Sequence, residues 1–211
     1  MKKLYGSIAI LLAFTFLGAG LQTPKNVLII GDSISIGYTP FIQKALPGVN
    51  IEHNPGNGGS TLRGVQSIEK WLGNREWDVV MFNFGLHDMV YKDSLNKYDV
   101  VNGKIAVSLE DYRKNLQTIV DKLRETTAKL IFITTTTVPE NAAGRKVESP
   151  AQYNRVAKEV MKKNGIEVLD LYETSLKVHP QNSKPGNVHY TEEGYSLLVQ
   201  PIIEKLKTAL K

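Results

Sequence analysis

From about residue 26 onward the chain alternates between short apolar runs and longer segments whose apolar residues recur every three or four positions. The runs are "NVLII" (26–30), "VNIEHN" (49–54), "WDVVMFNF" (77–84), "KLIFITTTT" (129–137) and "IEVLDLY" (166–172). They are too short for helices and rich in β-branched and aromatic residues, so they are read as five strands. Between them, Leu109, Tyr112, Leu116, Ile119, Val120 and Leu123 form a helical stripe that Ser108 and Asp111 open. Thr39-Pro40 and Ser149-Pro150-Ala151-Gln152 each read as a capping hydroxyl followed by a proline in the first turn. Asn164-Gly165 ends a fourth helix. A last one starts near Thr191 and carries Tyr195, Leu198, Val199, Ile202, Leu206 and Leu210, with a bend at Pro201. Strands alternating with helices predict crossover units: a three-layer α/β/α fold around a five-stranded, mainly parallel sheet.

A length of 211 residues suits one domain with a sizeable core. The beginning of the chain differs from the rest. Lys2 and Lys3 precede an apolar stretch, Ile8 to Leu17, and Gly18-Ala19-Gly20 follows. This is a secretory signal pattern, residues 1–20, ahead of a single domain at 21–211. A retained membrane anchor is the competing reading, but a span needs roughly 20 apolar residues, and Gln22, Thr23 and Pro24 come too early. The expected product is secreted or periplasmic, without stable membrane insertion. There is no cysteine, which excludes a disulfide framework, a thiol nucleophile and a lipid-modified cysteine. The formal charge of +5 is too small to argue for nucleic acid, and no basic stretch is interleaved with aromatic residues.

Ligands of an open α/β sheet gather at the carboxyl ends of the strands. Two connections leaving those ends, Met89 to Val107 and Val138 to Glu148, are longer than the fold requires and are the expected walls of a substrate site. The first strand delivers "GDS" to the same edge. Ser33 is placed like a nucleophile, and Gly31 keeps a side chain out of the turn. A serine hydroxyl needs a nearby base, for which His189 in "GNVHYTEEGY", just before the last helix, is the best candidate.

Four stretches, "GDSIS", "NPGNGGST", "FGLHD" and "VHYTEEGY", in this order and spanning nearly the whole domain, resemble the four blocks of SGNH (GDSL) hydrolases. The resemblance implies a flavodoxin-like sheet order and a serine esterase that needs no cofactor. Ser33 matches the nucleophile and, through its N–H, one oxyanion donor. Gly59 matches the second donor, with Gly58 a close competitor. The third donor is an asparagine in the usual Gly-x-Asn-Asp block, and here that position is His87. An imidazole can donate too, provided the proton sits on the correct nitrogen. "GLHD" together with "TTTTVPENAAGR" resembles a subset of the family. A second departure lies three residues before the histidine, where the family's orienting aspartate is replaced by Gly186; Asn187 stands two before. Asp170 and Asn187 are therefore the candidate orienting groups, with Asp170 the first acid to consider.

Asp32 and Asp88, beside two of these blocks, and Tyr91, Tyr98, Arg145 and Lys146, in the long connections, are candidate substrate contacts. Asp32, His87, Asp88 and His189 could instead bind a divalent ion, but no spacing such as H-E-x-x-H supports it, and no metal is expected. "GNGGST" lacks the lysine of a phosphate loop. His53 and His179 read as hydrogen-bonded structural residues, His179 being the lesser candidate for the base. The expectation is a secreted esterase for small acyl groups, acetyl above all, on carbohydrate. The alternatives are a lysophospholipase or thioesterase of the same fold, or a non-catalytic carbohydrate-binding protein.

Overall fold

The computed structural model describes residues 23–211; the expected signal segment, 1–20, lies outside them. In chain order the elements are β1 (Lys25–Ile30), α1 (Ser33–Ala45), β2 (Val49–His53), α2 (Thr61–Leu72), β3 (Val79–Phe82), β4 (Tyr91–Lys92), β5 (Lys104–Ile105), α3 (Leu109–Leu123), β6 (Lys129–Ile133), α4 (Ser149–Lys163), β7 (Glu167–Leu169), α5 (Leu171–Val178), α6 (Glu192–Leu198) and α7 (Gln200–Ala209). Five strands make one sheet in the order β2-β1-β3-β6-β7, and every neighbouring pair is parallel. The order reverses between β1 and β3, so the crevice at their carboxyl ends is the topological switch point of a doubly wound sheet. β4 and β5 pair separately as a small antiparallel hairpin within the Met89–Val107 connection.

The five apolar runs become the five strands because the sheet is covered on both faces. Val79, Val80, Met81 and Phe82 of β3 are all fully buried, as are Val27 to Ile30 of β1, so neither strand shows polar alternation. α2, α3 and α4 pack on one another over one face; α1, α6 and α7 cover the other. Pro201 divides the last helix in two, with Val199 at the junction of α6 and α7. Among the described residues no helix is long and apolar enough to cross a membrane.

Two helix starts differ from the sequence reading. α1 begins at Ser33 rather than after Thr39, because Asp32 caps it, its Oδ1 accepting from the Ile34 N–H at 2.9 Å. Pro40 sits inside the helix; the carbonyl that loses its donor belongs to Ile36, on the exposed side, where water can serve it. α4 begins with Ser149 already helical and makes no side-chain cap. Ser108, Thr191 and the Asn164-Gly165 stop behave as the sequence suggests.

Past the last ladder bonds, asparagine side chains continue the hydrogen bonding into the loops that carry the site. Asn83 Nδ2 donates to the Ile133 carbonyl at 2.8 Å. Asn154, fully buried on α4, accepts from Thr135 N–H at 2.8 Å and donates to Thr135 O at 2.9 Å. The amide stands in for a neighbouring strand. Asp88 works similarly at the start of α2. Its Oδ1 accepts from the Thr61 N–H at 2.9 Å and from the Thr61 hydroxyl. Burial pushes its carboxyl up to about 7, against the pull of the two Thr61 bonds.

Replacing Asn154 with the similarly sized leucine leaves both Thr135 groups without partners. The expected loss is roughly 2 to 5 kcal/mol of unfolding free energy, measured by urea denaturation; a loss below about 1 kcal/mol would contradict this role. For Asp88 the raised carboxyl means that the unfolded chain ionises near pH 4 and the folded one near 7, so the folded state binds the extra proton in that window and its contribution falls as pH rises. Asp88→Asn removes this dependence. The stability difference should move in favour of the variant between about pH 4 and 7, by up to about 4 kcal/mol, and level off above. A difference independent of pH in thermal or urea unfolding would contradict the shift.

Candidate active site

The peptide units on either side of Gly31, two residues before Ser33, are held by the loop after β2. Gly31 N–H donates to Asn54 Oδ1 at 2.8 Å, and Gly31 O accepts from Gly58 N–H at 2.8 Å. The approach leaves no room for side chains. A Cβ on Gly58 would lie 2.5 Å from Gly31 O, and one on Gly31 would lie 2.6 Å from Ser35 Oγ. Ser33 is then the first residue of α1, where a backbone N–H has no acceptor within the helix and the helix dipole favours negative charge. His53 braces the same turn from β2, with Nε2 at 2.7 Å from Ser35 Oγ and Nδ1 at 2.7 Å from Asn54 O. Burial lowers its proton affinity. This is the structural part that the sequence suggested for it.

Ser33 Oγ and His189 Nε2, separated by most of the domain in sequence, are 2.8 Å apart. Both the main-chain N–H of His189 and its ring Nδ1 point at one atom of Asn187, at 3.0 and 2.8 Å. A backbone N–H can only donate, so that atom is the amide oxygen; an oxygen that only accepts requires the proton on Nδ1. Nε2 is therefore left with a lone pair facing the Ser33 hydroxyl. Asn187 is itself fixed through its carbonyl, which accepts from His179 Nε2 at 2.8 Å. His179 is buried against Tyr190 and is a support for this loop, not a second base candidate.

Asp170 does not reach the histidine. Its carboxylate accepts from Thr134 Oγ1 at 3.0 Å and pairs with Lys158, so the first acid suggested by the sequence is used at the β6–β7 edge and Asn187 takes its place. Gly186, standing where the orienting aspartate is usual, has φ +67, and a Cβ there would meet Asn141 O at 3.1 Å. The backbone at that position favours glycine over any acid.

Around the Ser33 hydroxyl the expected oxyanion donors divide. Gly58 N–H is committed to Gly31 O, which removes it as a competitor. Gly59, at φ +67, donates to Asn57 Oδ1 at 2.8 Å. An arriving carbonyl oxygen must displace the Asn57 side chain to use that donor. His87 is half-buried, and its proton affinity is lowered first by burial and further by Arg145, Lys92 and His189, against an opposing pull from Asp32. The ring is thus neutral at neutral pH, with one N–H to give.

Asp32 and Asp88 are 1% and 0% exposed and serve backbone amides, so neither can touch a substrate as the sequence suggested. Among the described residues no three His, Asp or Glu side chains converge on a point that could hold a metal ion. Tyr91 and Tyr98 lie on the β4–β5 connection, and Arg145 and Lys146 on the loop after β6 that packs against it; Tyr91 N–H donates to Gly144 O at 2.7 Å. Arg145 Nε donates to Leu86 O, beside His87, at 2.7 Å. The contacts that the sequence reading did not name are the Asn54 clamp on Gly31, the bond between His53 and Ser35, and the anchoring of Arg145 at the "GLHD" turn. Of these only Asn54, next to a glycine-rich loop, had a local signal.

Solved structures share this fold. A lipase/acylhydrolase from Enterococcus faecalis superimposes with a TM-score of 0.70 at 21% identity, over 87% of this chain and 96% of that one. An acetylxylan esterase from Geobacillus stearothermophilus gives 0.68 at 18%, over 86% and 94%. A psychrotrophic esterase from a Pseudoalteromonas species gives 0.68 at 12%, over 88% and 98%. At such identities the likeness is one of fold. A comparison with curated protein sequences finds no match. The family model for GDSL-like lipases and acylhydrolases matches residues 29–197, from the nucleophile strand to the last helical pair, and the chain belongs to that family.

Proposed function

We propose that the protein is an exported serine esterase that removes small acyl groups, acetyl above all, from carbohydrate. The observation carrying this reading is the 2.8 Å contact between Ser33 Oγ and a His189 Nε2 whose lone pair is directed at it by Asn187. Ser33 Oγ attacks the acyl carbonyl carbon while Nε2 takes its proton. The oxyanion forms against the Ser33 N–H, the Gly59 N–H once Asn57 has moved aside, and the His87 ring N–H. Nε2 returns the proton to the departing alcohol, leaving an acyl-enzyme. Water then repeats the sequence: it loses a proton to Nε2, attacks the acyl carbon and releases the acid as the proton returns to Ser33. The three donors act where negative charge develops, and each can contribute about 100- to 1,000-fold in rate.

The "GLHD" and "TTTTVPENAAGR" stretches support placement in a subset of the family that uses His87 as the side-chain donor. The acetylxylan esterase neighbours support a carbohydrate ester. Lys2, Lys3, the apolar stretch to Leu17 and the small residues after it support export with loss of residues 1–20. One observation favours a longer acyl chain. One turn beyond Ser33, a groove between α1 and α6 is lined by Gly37, Pro40, Phe41, Tyr190 and Tyr195, flanked by Lys44 and Glu192. The second reading is accordingly a lysophospholipase or thioesterase.

A fluorophosphonate probe should label the parent and fail to label Ser33→Ala; a folded parent that never labels would leave a binding protein on a hydrolase fold. With p-nitrophenyl esters the acetate should be cleaved faster than the octanoate, and the reverse order would favour the second reading. Asn187→Ala should lower kcat by about 100- to 10,000-fold, as expected when the productive tautomer is lost, with little change in KM. Asn187→Asp should keep most of the activity because the acceptor remains. Equal kcat in the parent and Asn187→Ala would exclude the orienting role.

A further inference from the structure

The rim of the site is cationic, and among the described residues no carboxylate pairs with its cations. Arg145 donates from Nε to Leu86 O at 2.7 Å and from Nη1 to Ala143 O at 3.2 Å, both main-chain carbonyls, which leaves Nη2 with no protein acceptor among the described residues. Burial lowers its proton affinity, yet a guanidinium stays charged in proteins. Taking such a charge partly out of water without a counter-ion is costly. Among the described residues no carboxylate lies within 4.0 Å of Arg145, Lys92 or Lys146. The acids of the neighbouring connection are used in its own turns. Asp93 accepts from Leu95 and Lys97 N–H, and Asp99 from Val101 and Asn102 N–H. Asp32 acts on Arg145 only at a distance, buried beneath the site.

The three cations lie on the two connections that pack together beside the "GLHD" turn. Arg145 and Lys92 both act on the His87 ring. Lys92 Nζ lies 5.7 Å from the Tyr98 ring centre and Lys146 Nζ 4.9 Å from that of Tyr91. The loop and the hairpin pack too closely for a side chain at Gly144, where a Cβ would meet the Tyr98 ring at 2.7 Å and Tyr91 O at 3.0 Å. Tyr98 is 57% exposed and offers a ring face to a sugar. A planar cation fixed by two carbonyls, two ammonium groups held on the tyrosines of the connection that packs against its loop, and an exposed aromatic face together match an anionic carbohydrate.

We propose that the ester substrate carries a carboxylate or sulfate close to the acylated sugar and that Arg145, with Lys92 and Lys146, binds it. This rests on the hydrolase reading above. The test compares kcat/KM of the parent and Arg145→Gln on acetylated oligogalacturonide, an acetylated sulfated xylo-oligosaccharide and the acetylated neutral xylo-oligosaccharide, with p-nitrophenyl acetate as an uncharged reference. The parent should prefer one acidic series over the neutral one by about tenfold or more, mainly through KM, and the preference should shrink at high salt. Whichever acidic series is preferred identifies the anion. Arg145→Gln should bring the acidic-to-neutral ratio close to one. A ratio unchanged in the variant, with all substrates slowed alike, would make Arg145 a support for the "GLHD" turn and overturn the proposal, as would a parent that treats acidic and neutral series alike. Should Arg145→Gln fail to fold, Lys92→Gln reads the same ratio. A parent inactive even on p-nitrophenyl acetate would sink the hydrolase reading itself, which keeps the two failures apart.

Discussion

The pair of hydrogen bonds on Gly31 is the constraint on which the rest of the site depends. Its N–H is held by Asn54 Oδ1 and its carbonyl by Gly58 N–H. The residue that follows β1 is thereby clamped to the loop after β2, and the two nearest positions that could widen the gap are both glycines. Ser33 and Gly59 follow at fixed distances along the backbone from these two anchors. The proposed nucleophile and its proposed oxyanion donor are thus positioned by the contact between the loops that leave two adjacent parallel strands. The asparagines at positions 83 and 154 extend the same device along the sheet edge, substituting side-chain amides where the ladder stops.

How far the sequence revealed this depends on whether each signal was local. The strands were legible because burial on both faces leaves uninterrupted apolar runs, as in β3. The start of α1 was not, since a Thr-Pro pair is a strong local cue and Asp32 a competing one seven residues earlier. Asp32 wins because the nucleophile turn aims its carboxylate at Ile34 N–H, while the Thr39 hydroxyl bonds back to Ser35 O within the helix. Ser33 and His189 could be paired in advance from their places at the strand edge and before the last helix. Asp170 misled because it does lie at the carboxyl end of its strand, yet its charge has a nearer partner in Lys158 on α4. That is a tertiary contact, and no local pattern announces it.

Asn187 and Gly186 show how a departure from a family pattern can be absorbed by the backbone. The left-handed conformation at Gly186 and the carbonyl of Asn141 beside it leave no place for an acid, but they bring the next residue's amide under the histidine. An Asn187 oxygen that also accepts the His189 main-chain N–H cannot turn its NH₂ toward the ring without losing that bond. The risk that usually attends a neutral orienting group, stabilising the wrong tautomer, is thereby removed by geometry rather than by charge.

What the amide cannot supply is a negative charge opposite the imidazolium that the proposed mechanism forms on His189 when it takes the serine proton. The surroundings of the site carry the opposite sign: Arg145 and Lys92 act on His87, and the carboxylate that opposes them there, Asp32, is buried and tied to the helix start. These cations disfavour a protonated His87 and so preserve its neutral, donating form. They also lower the energy of an oxyanion formed beside it, since both effects follow from the same positive potential acting in a partly desolvated space. On the proposed mechanism the site therefore places its fixed charge on the side of the substrate oxygen instead of behind the base. An anionic substituent on the substrate would complete that balance, screening the two cations once bound and supplying the counter-ion that the chain itself does not provide.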